Sequence, residues 1–351
     1  MSDPPTRNVR PERLRALVRD IFVGAGLDCD AASLIAETLV EADLRGVRSH
    51  GVMRVPGYIR GLRSGNVNPR PDVRVVVDSG PVVVVDGDGG MGQVSAARAM
   101  RLAIARAREH GIGAAGLRNG RHSGTMAYWA MMALPAGCLG FVTTNAGLNM
   151  APWGGRDRLV GNNPFAIAVP TTRPWPMVLD MATSVAAGGK LDVAAIRGES
   201  IPLGWALDEL GRPTDDPRAA RRGTLLPVGG PKGYAMAVML DVLAGVLTGS
   251  RFGGNLGVDE RLGQTVQGQF YLALRVESFM PLREFYARMD ALIDQIHAST
   301  PAPGFDRIYL PGEIEHSLKV ARLASGLPLE NAILTELDRL AVEAGVADRS
   351  I

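Results

Sequence analysis

The run Val82-Val83-Val84-Val85-Asp86-Gly87-Asp88-Gly89-Gly90-Met91-Gly92 supports two different folds. Residues 87–92 satisfy G-x-G-x-x-G, follow a β-branched segment and open a helical one. That is the context of a dinucleotide-binding turn on a doubly wound sheet. There, glycines let backbone N–H groups approach a pyrophosphate at a helix N-terminus. The flanks argue against it. Val73-Arg74-Val75-Val76-Val77 and Val82–Val85 are split by Asp78-Ser79-Gly80-Pro81, a hairpin signal rather than part of a parallel βαβ unit. The next strand, near Ile112 to Leu117, ends in Arg118-Asn119 and offers no carboxylate to a ribose. Beyond it the regular strand–helix alternation is lost. We therefore expect a glycine-rich turn into a helix, on a fold that is not of the Rossmann type.

Working outward, residues 10–64 carry apolar side chains at helical spacing, with Asp28 and Asp30 as helix-start acceptors. Asn66 to Asp72 reads as a loop. A helix follows over Val94 to His110, closed by Gly111. Short apolar strands alternate with polar, glycine-rich turns from Gly113 to Pro170, and Met177 to Met181 is a further strand. Residues 186–231 read as a long surface excursion. Tyr234 to Leu247 is apolar almost all round and is expected to be buried. Gln269 to Val276 is a strand, and Pro281 to His297 and Leu327 to Ala344 are helices. The fold class is α/β (α+β): a mixed, largely antiparallel central sheet, with the N- and C-terminal helical segments packed together.

The 351 residues are 46% apolar, enough for a sizeable core, and the net charge is +2. Dispersed basic residues without aromatic interleaving exclude a nucleic-acid footprint. Two isolated cysteines, Cys29 and Cys138, supply no metal-ligand pattern and fit a reducing compartment. The polar stretch Met1 to Arg13 has no apolar signal core, and apolar runs break before membrane-spanning length. The expectation is a cytoplasmic protein without a metal centre, a membrane span or a nucleic-acid partner.

The chemistry concentrates in Arg45-Gly46-Val47-Arg48-Ser49-His50-Gly51-Val52-Met53-Arg54. An imidazole, a hydroxyl and two guanidinium groups fall within Arg48 to Arg54. His50 can exchange a proton near neutral pH, Ser49 can orient its ring, and Arg54 can grip a carboxylate in a two-pronged bond from the same helix face. Nearby positive charge and a helix start favour the neutral imidazole. The plain alternative is a loop histidine among solvated arginines. Arg118-Asn119-Gly120-Arg121-His122-Ser123-Gly124 offers a second histidine at a strand end, or a turn histidine capping a helix. Gly161-Asn162-Asn163-Pro164 and Asp180-Met181-Ala182-Thr183-Ser184 are polar turns that permit close backbone contact with a ligand. Lys232 stands before a helix, where a phosphate contact or a solvated charge fits equally. Pro311-Gly312-Glu313 is a turn whose carboxylate suits a ribose hydroxyl or plain solvent.

In order and spacing, Arg48-Ser49-His50-Gly51, Asp86-Gly87-Asp88-Gly89-Gly90, Arg118 to Gly124, Asn163-Pro164, Asp180 to Ser184, Lys232-Gly233-Tyr234 and Pro311-Gly312-Glu313 resemble the type-2 malate/L-lactate dehydrogenases. That group also holds ureidoglycolate and sulfolactate dehydrogenases, diketogulonate reductase and the piperideine-carboxylate (ketimine) reductases. The resemblance implies NAD- or NADP-dependent hydride transfer to and from a small carboxylic acid, on a non-Rossmann fold, in a homodimer whose clefts lie near the partner subunit. It implies His50 as acid/base with Ser49 as its orienting partner. His122 competes for that role, as in the ureidoglycolate branch. It implies Arg54, with Arg48 and Asn162, at the substrate. It implies His122, Ser123, Gly124, Thr125, Met126, Asp180, Met181, Ala182, Lys232, Pro311, Gly312 and Glu313 at the cofactor. The matching organisation is a helical domain of residues 1–75 with 280–351, a small hairpin/helix segment 76–115 and a cofactor-binding domain 116–279. Departures are Arg121 and Ser123 flanking His122, Asn162 where many members have Thr, and Lys190 where ketimine reductases carry an Asp. The last argues against imine reduction. The remaining alternatives are a ketimine reductase or ureidoglycolate dehydrogenase on the same scaffold, and a non-catalytic ligand-binding homologue.

Overall fold

A computed structural model describes residues 6–256, 258–259 and 264–349, so the first five residues of the polar N-terminal stretch lie outside it. The chain opens with α1 (Pro11–Gly24), α2 (Cys29–Leu44) and α3 (Val55–Arg63). Leu14, Leu17, Val18, Ile21 and Phe22 of α1 share one buried cluster with Ile35, Leu39 and Val40 of α2, as their spacing requires. Asp28 caps α2 by accepting the Ala31 N–H at 2.8 Å. Between α2 and α3 the chain makes two 3-10 turns, Arg48–His50 and Val52–Arg54, joined at Gly51.

The valine hairpin forms: β1 (Arg74–Ser79) pairs antiparallel with β2 (Val82–Asp86) around Gly80, whose φ is +57°. Next comes α4 (Gly92–His110), ended by Gly111 in the left-handed conformation. β3 (Ile112–Gly120) then runs parallel to β2. One expectation is thereby corrected: β2 has a hairpin partner on one edge and a parallel partner on the other, so β2–α4–β3 is a parallel unit. It does not repeat. α5 (Met126–Met131), β4 (Cys138–Thr144), β5 (Phe165–Val169), β6 (Met177–Met181) and later β7 (Gln267–Arg275) complete the architecture. The seven-stranded sheet has the order β1-β2-β3-β7-β4-β5-β6, and all its pairings except β2/β3 are antiparallel. This is the mixed, largely antiparallel, non-Rossmann sheet that the sequence implies.

Residues 186–231 are more than surface. α6 (Gly188–Arg197) and α7 (Pro217–Arg222) close over Leu191, Ala194, Ile201 and Leu225 in a small core of their own. Enough apolar residues lie between the turn signals to bury one another. The following helix, α8 (Pro231–Asp241), continues into a π turn over Val242–Val246. Its expected complete burial is corrected: Ala237, Leu240 and Ala244 are covered, whereas Met239 and Leu247 are 60% and 62% exposed.

The C-terminal part holds α9 (Leu282–His297), α10 (Glu313–Ser325) and α11 (Asn331–Glu343). The helix expected from Leu327 begins four residues later. Leu327–Glu330 instead pairs antiparallel with Thr6–Val9, a partner more than 300 residues away that local spacing does not register. α11 buries Leu334, Leu337 and Leu340 in the cluster of α1 to α3. α10 is tied to α2 by Lys319–Glu41 at 2.7 Å and by Arg322, which donates to the Asp43 and Leu44 carbonyls. The two helical ends therefore pack together. α9 departs from that arrangement, and Asp290 and Asp294 hold it to Arg173 beyond β5. Among the described residues no helix is long and apolar enough to cross a membrane.

Candidate active site

His50 sits where α2 gives way to the 3-10 turns. Gly51 is extended (φ −87°, ψ −158°), so His50 and Arg54 do not share one regular helix face. A different contact joins them: Arg54 Nε donates to the Ser49 carbonyl at 2.6 Å. Ser49 Oγ lies 2.9 Å from His50 Nδ1. Beneath the turn, the buried Asp43 carboxylate accepts the Val52 N–H at 2.7 Å. Burial, ahead of the opposing Val52 hydrogen bond, pushes that carboxyl up to about 7.

A Cβ at Gly51 would lie 2.0 Å from Asp43 Oδ1, in a site already filled. Gly51→Ala is therefore expected to destabilise the protein by about 1–3 kcal/mol and to lower turnover with it. Urea unfolding and a rate assay check this, and a variant with wild-type values of both contradicts it.

The second histidine follows β3. Its loop is pinned by Arg121, which donates to the carbonyls of Gly89 (2.9 Å) and Asn66, and by Gln269 Nε2, which donates to the Arg121 carbonyl at 2.9 Å. The glycine motif serves this loop. The N–H groups of Gly87 and Gly89 donate to the carbonyls of Arg118 and Asn119, and a Cβ at Gly92 would lie 2.3 Å from the Arg121 carbonyl. Those donors are consumed inside the chain, which leaves the turn no role as a phosphate cradle.

The two loops meet in a cavity of about 440 Å³, whose wall includes Ser49, His50, Arg54 and His122. The imidazoles stack with centroids 5.3 Å apart at 20°. Tyr58, on α3, places its hydroxyl 2.6 Å from His122 Nδ1 and accepts from Gln93 Nε2 at 3.2 Å. Gln93 donates to the phenol oxygen and the phenol faces Nδ1, an arrangement that suits the tautomer with the His122 proton on Nε2. Burial first, then the Arg54 charge, pushes His50 down to about 4. Burial, then His50 and Arg54, pushes His122 down to about 3. Both rings are neutral at pH 7. The cavity thus combines two neutral imidazoles and a guanidinium, a set suited to proton exchange at the hydroxyl of a carboxylate-bearing substrate.

The sequence profile of the malate/L-lactate dehydrogenases matches residues 9–338. This chain belongs to that family. The L-sulfolactate dehydrogenase of Methanocaldococcus jannaschii is 38% identical over 341 residues, 96% of this chain and 97% of its own length. A solved structure of sulfolactate dehydrogenase from the same organism superposes with a TM-score of 0.90 at 37% identity, covering 97% of this chain and 98% of that one. A malate dehydrogenase of Pyrococcus horikoshii is 38% identical over 346 residues, 96% of each chain. An L-lactate dehydrogenase of Cupriavidus necator is 38% identical over 343 residues, 95% of this chain and 97% of its own.

For this member of the malate/L-lactate dehydrogenase family, the rest of the wall comes from the central sheet. Ser123, Gly124, Thr125 and Met126 line it from the β3–α5 loop, Asp180, Met181 and Ala182 from the end of β6, and Asn162 from the turn before β5. The Asp180 carboxylate accepts the Ala127 N–H at 3.0 Å, and burial raises it to about 6 despite that bond. Asn163 is structural: its Oδ1 accepts the Ala146 N–H and its Nδ2 donates to the Ala237 carbonyl. Arg48, Lys232, Pro311, Gly312 and Glu313 are not part of the wall. Arg48 is exposed and its charge bears on Asp43 and Arg322. Lys232 is exposed in the first turn of α8. The Glu313 carboxylate is committed to the Leu310 N–H (2.7 Å), His297 (2.9 Å) and Arg307 (3.0 Å), while the Pro311 carbonyl accepts from Val178 at the start of β6.

Sequence reasoning gave no role to Tyr58, Gln93, Gln267, Glu315 or Arg45. Tyr58 is four residues beyond Arg54, so helical spacing was a signal for it. For Gln93, Gln267 and Glu315 none existed. A dinucleotide fits the remaining wall. Ser123 Oγ and Gln267 Oε1 are buried there without a partner, and a Cβ at Gly124, Gly147 or Gly189 would meet no atom within 4 Å.

Proposed function

We propose that this chain is an NAD(P)-dependent dehydrogenase of small 2-hydroxy acids of the malate/lactate type. The observation that carries the reading is the convergence of His50, His122 and Arg54 on one cavity. A bound nicotinamide supplies or accepts the hydride. Arg54 holds the substrate carboxylate. His122, with Nδ1 turned to the Tyr58 hydroxyl, donates a hydrogen bond from Nε2 to the substrate oxygen. His50, beside Ser49 and Arg54, removes the hydroxyl proton in oxidation and returns one in reduction. Ser49 steadies its ring from the Nδ1 side.

Lys190 supports the hydroxy-acid reading over imine reduction. Its ammonium stands 5.5 Å over the Trp205 ring, so this position offers a cation and no carboxylate. The helical segments 1–75 and 280–351 contribute the acid/base end, and 116–279 the cofactor wall. The exposed apolar face of α8 and its π turn supports a homodimer, and sedimentation at twice the chain mass is expected. The two unpaired thiols, Cys29 and Cys138, support a cytoplasmic location.

A panel of oxaloacetate, pyruvate, sulfopyruvate and amine-derived imines, followed by loss of NADH or NADPH absorbance, tests the function. Turnover of a 2-oxo acid supports it. Turnover of imines alone, or binding without turnover, contradicts it.

A further inference from the structure

Arg45 ends α2, is only 7% exposed and lines the cavity. Among the described residues its guanidinium makes no hydrogen bond or ion pair. A guanidinium that faces a cavity from a largely buried residue, without a protein acceptor, is placed to meet an anion that a ligand brings. The charged and titratable groups around it are Asp180 on β6 and Glu315 and His316 on α10. Asp180 and His316 both feel the Arg45 charge, and Glu315 shares the cavity wall and bears on Asp180. Asp180 already accepts from Ala127, and no carboxylate pairs with Arg45. The positive charge that both catalytic histidines feel is that of Arg54. Arg45 instead bears on Asp180, whose carboxylate accepts the Ala127 N–H in the wall assigned to the dinucleotide.

We propose that Arg45 is an anion-binding residue of this cavity and that its ligand is a phosphate of the dinucleotide. The planar fork of arginine matches phosphate oxygens in two parallel hydrogen bonds. The dinucleotide is also the reactant that carries anionic groups far from the reacting carbon. The phosphate is either the pyrophosphate common to both dinucleotides or the 2′-phosphate of NADP alone. The inference rests on the dehydrogenase reading.

The test measures dissociation constants of NADH and NADPH by fluorescence titration of the wild type, Arg45→Gln and Arg45→Lys. Thermal unfolding without cofactor is recorded alongside. Arg45→Gln is expected to bind NADPH roughly 10-fold or more weakly, with Arg45→Lys between it and wild type. Equal losses for both dinucleotides identify the pyrophosphate, and a loss confined to NADPH identifies the 2′-phosphate. Without cofactor, Arg45→Gln is expected to melt no lower than wild type, since it breaks no hydrogen bond or ion pair among the described residues. A lower melting temperature with unchanged dissociation constants makes Arg45 a structural partner of Asp180 and overturns the proposal. A wild type that binds dinucleotide while Arg45→Gln binds equally well overturns this inference alone. A wild type that binds neither dinucleotide overturns the dehydrogenase reading with it.

Discussion

His50→Ala lowers turnover ~100- to 10,000-fold, the usual cost of removing a placed acid/base, while the dissociation constant for NADH stays close to wild type. The split follows from geometry. His50 meets the cavity beside Arg54 and Ser49, whereas the wall assigned to the dinucleotide comes from β6 and the β3–α5 loop. The sign of the pH dependence follows from the depressed imidazole. Burial and Arg54 hold His50 at about 4, so the free enzyme keeps a neutral base throughout the neutral range. Hydroxy-acid oxidation, read as kcat/KM, is flat from pH 7 to about 5 and falls as pH drops through about 4 and the ring becomes protonated. Reduction consumes a proton and rises as pH falls over the same range. A wild-type rate in His50→Ala, or an oxidation profile centred near the ordinary histidine value, removes His50 from the chemistry.

Arg54→Ala raises the KM for 2-oxo acids roughly 10- to 150-fold, the equivalent of about 1.5–3 kcal/mol for a hydrogen bond to a charged group. The same substitution frees the Ser49 carbonyl of its Arg54 partner, so kcat falls as well, but less. It also removes the positive charge that helps depress both histidines, and the acid limb of the pH profile moves to higher pH. Arg54→Lys restores part of the affinity as a point charge without the fork. Saturation by pyruvate and oxaloacetate at wild-type concentrations in Arg54→Ala contradicts the clamp.

Much of the fold was legible because periodicity reports burial directly. The helices of residues 10–64, the valine hairpin, the Gly111 stop and the strand at β7 all follow from local spacing. What was not legible depended on distant partners. Whether β2 also pairs with β3 is decided across α4. Whether the all-apolar α8 is buried depends on what covers it. Leu327–Glu330 becomes a strand because Thr6–Val9 is there to pair with it. The site divides the same way. Ser49, His50 and Arg54 stand within six residues, and His122 stands at a strand end, so their chemistry was visible. The contacts that set their states were not. Tyr58 sets its hydroxyl against His122 Nδ1 from 64 positions away, and Asp43 holds the His50 turn through a backbone N–H. The glycine motif shows the limit from the other side: a sequence that suits a pyrophosphate instead makes room for the loop that carries His122.

The most direct test of the account is a single turnover with NADH deuterated at the nicotinamide C4, a 2-oxo acid from the panel and mass analysis of the recovered hydroxy acid. We expect wild type to yield the acid with deuterium at C2. His50→Gln, loaded with the same NADH, should form it at least ~100-fold more slowly. Bound NADH that gives up no deuterium in wild type, or equal rates in the two proteins, contradicts the central claim that His50 exchanges the proton of a hydride transfer in this cavity.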